Sequence, residues 1–254
     1  KGYLRYLIFR VAANTDAMLV SFVTASEEEK ILPLIEIAKK EAISVHWLVH
    51  EGLADLSFGR IHKTYNDPYI TEKIGDISFQ IGPNTFFQNN GYLCSKLFDE
   101  AKQYVRGRVL DLFCGTGAIS LYMASNADTV FGIELVDESI AMAKENAKRN
   151  GIWNVSFLTA DVGEWLKGQR GCRDYDTVVV DPPRIGLGGK ICRRLCRMEM
   201  ERIVYVSCNP ATLRDDIQFL SEKFELAAIK GFDMFPQTPH VECVALLNRK
   251  KGID

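Results

Sequence analysis

Apolar and polar residues alternate over residues 4–12, break at Asn14-Thr15-Asp16, and give way to an apolar run over 18–23. That pattern predicts two strands joined by a hairpin turn. Residues 27–42 set Ile31, Leu34, Ile35 and Ala38 at helical spacing. Residues 45–49 predict a further strand, 52–59 a loop, and 61–65 and 74–81 the last strands of a small α+β unit. This part carries no catalytic motif and reads as a scaffold or substrate-positioning domain. From about residue 86 the rhythm changes. Strand patterns fall at 108–114, 129–135, 155–161, 175–181, 202–208, 224–235 and 241–248. Helical patterns, notably 137–150 and 211–223, fill most gaps between the first six. Such alternation predicts an α/β domain with a mostly parallel seven-stranded sheet and helices on both faces. The seam lies near Gly82-Pro83, dividing residues 1–82 from 83–254.

Composition narrows the function classes. With 47% hydrophobic and 25% charged residues, the 254-residue chain can build a core and is no disordered tail. No apolar run approaches the roughly 18 residues of a membrane span. Lys plus Arg number 31 and Asp plus Glu 33, a net charge of −2, so any nucleic acid would need a local basic patch. Lys190, Arg193, Arg194, Arg197 and Arg202 form one candidate. It reads either as phosphate contacts or as a solvated helix face. The seven cysteines are scattered without a CxxC pair. That spacing predicts neither a disulfide framework nor a metal site, and fits a reducing, cytoplasmic setting. The sequence opens at Lys1 rather than Met, as a fragment would, and shows no signal-peptide pattern.

Ligands of such sheets bind at the carboxyl ends of the strands, and the chemistry-bearing residues gather there. The first strand runs into Asp111-Leu112-Phe113-Cys114-Gly115-Thr116-Gly117-Ala118. Its two glycines let backbone approach a ligand at a helix N-terminus. A dinucleotide fingerprint would place a third glycine where Ser120 stands. The second strand ends in Glu134, suited to ribose hydroxyls, and the third in Asp161, near where an adenine edge would lie; either acid could equally be a helix cap. The set favours S-adenosylmethionine over a nicotinamide cofactor. The fourth strand ends in Asp181-Pro182-Pro183-Arg184, a stiff loop or simply a strand-ending turn. The fifth ends in Ser207-Cys208-Asn209-Pro210. Cys208 reads as a nucleophile with a lowered pKa beside a helix start, or as a small buried hydrophobe. Phe235-Pro236-Gln237-Thr238-Pro239-His240-Val241-Glu242 enters the last strand. Its carboxylate is either solvent-exposed or delivered to the crevice of Cys208.

These segments together resemble the RNA uracil-5-methyltransferases, which make 5-methyluridine in tRNA and ribosomal RNA. The resemblance also includes Asn84-Thr85-Phe86-Phe87-Gln88-Asn89-Asn90, and runs densely over 84–249. It implies a Rossmann-like class I methyltransferase domain, S-adenosyl-L-methionine as cofactor and a flipped uridine in rRNA or tRNA as target, with no DNA partner, membrane or metal. It implies that Cys208 is the nucleophile and Glu242 the general base. Gln88, Phe113, Gly115, Glu134, Asp161 and Asp181 would hold the cofactor or target base. The chemistry calls for these types. A thiolate adding to uracil C6 makes C5 nucleophilic, and a base must then remove the C5 proton. Base flipping would bring the uridine to both groups. Phe86, Phe87 and Tyr92 read as a stacking surface or as core. A cytosine-5 RNA methyltransferase would carry its cysteine beside the double proline, where Arg184 stands. A noncatalytic RNA-binding module would have no use for both Cys208 and Glu242. The sequence carries no signal for oligomeric state.

Overall fold

A computed structural model describes residues 2–54, 56–88 and 90–252. The chain divides into two compact units, Lys1–Phe87 and Gln88–Asp254, a few residues beyond the seam expected near Gly82.

In the first unit, β1 (Leu4–Val11), β2 (Met18–Thr24), β3 (Ser44–Val49) and β4 (Arg60–Asn66) form one sheet in that order. β1 and β2 are an antiparallel hairpin; β2 and β3 are parallel and joined through α1 (Leu32–Glu41). The expected helix over 27–42 begins later, because a short 3₁₀ turn occupies Glu29–Ile31 and Pro33 sits in the first turn of α1. Ile31 and Ile35 pack on Val20, Phe22, Val45 and Trp47. The expected single strand over 74–81 is instead a hairpin, β5 (Ile70–Ile74) with β6 (Ile77–Ile81). Gly75, at φ 57°, makes the turn between them.

The second unit opens with α2 (Gly91–Gln103), capped by Asn90, whose Oδ1 accepts the Leu93 N–H at 3.1 Å. Then β7 (Arg108–Leu112), α3 (Ala118–Met123), β8 (Thr129–Glu134), α4 (Asp137–Arg149), β9 (Val155–Thr159) and α5 (Val162–Trp165) alternate. They are followed by β10 (Thr177–Val180), α6 (Gly188–Leu195), β11 (Arg202–Ser207), α7 (Pro210–Leu220), β12 (Phe224–Phe232) and β13 (Glu242–Arg249). The seven strands stand in the order β12-β13-β11-β10-β7-β8-β9, all parallel except that β13 runs antiparallel to both its neighbours. β10 reads Val178-Val179-Val180 with every residue buried, as a strand covered on both faces must. Leu110, Val178, Ile203, Tyr205 and Leu247 join the core beneath α6 and α7. The carboxyl ends of β7, β8, β10 and β11 therefore share one edge. β13, running the other way, presents its first residue there.

Candidate active site

After β7 the backbone folds tightly. The N–H groups of Phe113 and Cys114 both donate to the Ile133 carbonyl, at 2.9 and 3.1 Å. Phe113 takes φ 66°, a left-handed conformation uncommon for a non-glycine residue, and Gly115 and Gly117 follow at 53° and 77°. The two glycines serve different ends. A Cβ on Gly117 would stand 3.0 Å from Ala143 and Phe157, so α4 and β9 demand its absence. A Cβ on Gly115 would meet nothing within 4 Å, which leaves that side of the turn open to a ligand. Glu134, half-buried at the end of β8, folds its carboxylate onto this loop. It accepts the N–H groups of Leu135 at 2.8 Å, Val136 at 3.0 Å and Gly115 at 3.3 Å. A carboxylate offers about four acceptor positions, so Glu134 retains capacity for hydroxyl donors. Asp111 is buried, with Oδ2 taking the Ser120 hydroxyl and Oδ1 without a partner among the described residues. Burial, aided by the charge of Glu134 and opposed by the Ser120 bond, pushes its pKa up to about 7. Asp161 is exposed and caps α5, its Oδ1 accepting the Glu164 N–H at 2.7 Å. Gln88 and Phe113 are half-buried.

The other half of the edge carries the thiol. β11 and β13 pair as far as Ser207 against Cys243, so Cys208 and Glu242 are the next residues past that pair, and the Glu242 charge acts on the thiol. Glu242 is only 4% exposed, so the buried alternative holds over the solvent-facing one. Its carboxylate takes no hydrogen bond from the described residues. Burial raises its pKa, and the Arg184 charge opposes the rise. Asp181, whose N–H reaches the Leu112 carbonyl at 3.3 Å, is pushed well above the ordinary carboxylate range by burial and then by Glu242 and Asp111. Cys208 is half-buried just before α7. The expected lowering of its pKa does not occur. Burial, Glu242 and Asp181 push the thiol up, and Arg184 alone among the neighbouring side chains works the other way. Burial thus opposes the charged form of Cys208, Asp181 and Glu242 alike.

The flanking candidates separate. Lys190, Arg193 and Arg197 are exposed, but Arg194 donates to the Gly163 carbonyl and Arg202 pairs with Glu201 at 3.1 Å. The basic patch therefore shrinks to these three exposed cations, of which Arg193 lies over the Phe219 ring at 5.7 Å. Phe87 packs on Phe79 with ring centroids 5.5 Å apart and belongs to the core of the first unit, whereas Phe86 and Tyr92 are exposed in their own units. Cys192 and Cys196 are core residues. Sequence reasoning missed Asp216, a buried carboxylate on α7 that gathers the loop after Asp181. Its one trace is an acid set among the inward-facing Leu213, Ile217 and Leu220.

A family model described as tRNA (uracil-5-)-methyltransferase matches residues 61–250, three quarters of the chain and all of the strand-edge motifs. The chain belongs to this family. A tRNA (uracil(54)-C(5))-methyltransferase of Pyrococcus horikoshii is 38% identical over 248 residues, covering 97% of this chain and 58% of that protein. An uncharacterized RNA methyltransferase of Clostridium acetobutylicum is 38% identical over 261 residues, covering 98% and 57%. Among solved structures, the Pyrococcus abyssi tRNA (uracil-54, C5)-methyltransferase in complex with S-adenosyl-L-homocysteine superposes with a TM-score of 0.84 at 33% identity, covering 97% of this chain and 60% of that one. The chain thus spans well under two thirds of the length of these relatives. The Methanocaldococcus jannaschii tRNA m1G37 methyltransferase, at 16% identity and a TM-score of 0.64, shares the fold. Within the tRNA (uracil-5-)-methyltransferase family the double-proline loop, the thiol turn and the Glu242 strand of this chain all fall inside the matched stretch. No helix among the described residues is long and apolar enough to cross a membrane.

Proposed function

We propose that this chain is the catalytic portion of an S-adenosylmethionine-dependent RNA uracil-C5 methyltransferase, with tRNA, the substrate named for its Pyrococcus relatives, as the RNA. One observation carries the reading: Glu242, buried and without a hydrogen-bond partner among the described residues, lies with Cys208 just past the Ser207–Cys243 pair of the β11–β13 ladder. Family membership supports it.

The β7–β8 edge fits the cofactor. Gly115 leaves open space, Glu134 has acceptor capacity for the ribose hydroxyls, and Asp111 Oδ1 is an orphaned acceptor. The exposed Leu135 and Val136 follow Glu134 and suit a purine face, with Asp161, Phe113, Gln88 and Asp181 completing the set. S-adenosylmethionine, when bound, supplies an electrophilic methyl group. The protein does the rest. Cys208 Sγ adds to C6 of a uracil flipped into the crevice, and C5 becomes the nucleophile. Glu242, its pKa raised by burial, then takes the C5 proton. The C5–C6 double bond re-forms and the Cys208 thiolate leaves. Lys190, Arg193 and Arg197 would meet RNA phosphates.

Glu242→Gln separates the two halves of this scheme. The amide keeps the shape but accepts no proton. With tRNA and cofactor, a covalent protein–RNA band should accumulate on a denaturing gel, and turnover should fall about 10²–10⁴-fold. Cys208→Ala should bind cofactor yet form neither adduct nor product. Near-normal turnover in Glu242→Gln, or methylation by Cys208→Ala, would overturn the assignment.

A further inference from the structure

The loop between β10 and α6 is held from within by α7. Its turn closes as the Gly186 N–H donates to the Pro183 carbonyl at 2.8 Å. The Arg184 carbonyl accepts Asn209 Nδ2 at 3.0 Å and the Thr212 hydroxyl at 3.3 Å. One helical turn beyond Thr212 lies Asp216, 3% exposed. Its Oδ2 accepts the Leu187 N–H at 2.6 Å and the Tyr205 hydroxyl at 2.7 Å. Its Oδ1 accepts the Gly188 N–H at 2.9 Å and the Cys192 thiol at 3.6 Å. Loop and helix lie so close that a Cβ on Gly186, at φ 75°, would stand 2.5 Å from Asp216 Oδ2. A carboxylate this deeply buried persists only because each oxygen is so well supplied with donors.

What the clamp holds in place is Arg184. Asn209 and Thr212, which fix the Arg184 carbonyl, follow Cys208 directly at the start of α7, so thiol and loop share one support. The side chains acting on Cys208 are Glu242 from β13 and Asp181 from the end of β10, both opposing a thiolate, and Arg184, favouring it. The side chains bonded to Asp216 are Tyr205 on β11 and Cys192 on α6, and neither is among the charges that act on Cys208. We propose that Asp216 is a positioning residue: it locks the 183–188 loop onto α7 and thereby keeps Arg184, tied through its carbonyl to Asn209 and Thr212, at the turn that carries Cys208, where its charge can serve the attacking thiolate. The proposal rests on the reading of Cys208 as nucleophile.

The test is the pH dependence of Cys208 alkylation by iodoacetamide in the whole chain without cofactor, with the labelled cysteine assigned by peptide mass spectrometry. Arg184→Gln should move the midpoint upward by about one pH unit, the size expected for losing one neighbouring opposite charge. Asp216→Asn should move it in the same direction. The double variant should move it no further than Arg184→Gln alone. Thr212→Val, on the rim of the loop, should give a smaller upward shift with an unaltered circular dichroism spectrum, and it decides the matter should Asp216→Asn fail to fold. Wild-type midpoints in folded Asp216→Asn and Thr212→Val, or an Asp216→Asn shift that persists undiminished in the Arg184→Gln background, would overturn the proposal. Methylation by Cys208→Ala would instead remove the nucleophile reading, and the two failures are thus told apart.

Discussion

Asp111 carries two oxygens in unlike circumstances, one taking the Ser120 hydroxyl and the other buried without a donor among the described residues. With burial as the main cause, its folded pKa of about 7 lies above the ordinary unfolded value near 3.9. The folded state therefore holds a proton that the unfolded state has released over that window. The stability this group contributes is complete below about pH 4 and is lost as pH rises toward 7. Asp111→Asn removes the titration. In cofactor-free protein it should gain stability over wild type by about 2–3 kcal/mol more at pH 8 than at pH 5, read from denaturant melts at both. An equal difference at the two pH values would show that Asp111 does not titrate there. Cys208 carries a second expectation. Its alkylation midpoint should exceed the usual thiol value of about 8.5, because burial and two carboxylates act on it. Such environments are poorly legible in a sequence. Cys208 and Glu242 could be picked out because strand ends flanked by proline and glycine are conspicuous. The direction of the Cys208 shift could not, since it depends on which acids the sheet order brings alongside.

Elements explain which readings succeeded. The strand–helix alternation of the second unit was plain because each strand is a short apolar run and each helix has its own period. The hairpin of β5 and β6 was half hidden because Thr71, Glu72 and Lys73 interrupt the apolar pattern of β5. Asp216 was invisible because its donors come from β11, α6 and the loop before it, none adjacent to it in the chain. Asp161 shows the same limit in reverse: one acid, two plausible duties, and a cap bond in the structure. Asp161→Ala should cost about 1 kcal/mol of stability through the lost cap. Asp161→Asn keeps the acceptor oxygen and should melt within a degree or two of wild type. If Asn weakens S-adenosylhomocysteine binding in calorimetry without lowering Tm, the second oxygen serves the ligand. If both variants bind normally, Asp161 is a cap alone.

At the scale of the whole molecule, every residue proposed to touch the cofactor, from Gln88 to Asp181, lies in the second unit. A chain beginning at Gln88 should therefore keep S-adenosylhomocysteine affinity within about an order of magnitude if its circular dichroism shows it folded, while RNA affinity measured by gel shift should fall. A folded second unit unable to bind the ligand would refute that division of labour. The sheet order carries a further consequence. β13 follows β12 in the chain yet inserts between β12 and β11. A nascent polypeptide emerging from the ribosome only as far as residue 240 would leave β11 as a bare edge and β12 without a neighbour. It would also carry Cys208 without Glu242, the carboxylate proposed as its partner. Because one strand both closes the sheet and brings Glu242, a growing chain completes its sheet and sets that carboxylate on the strand edge in the same event.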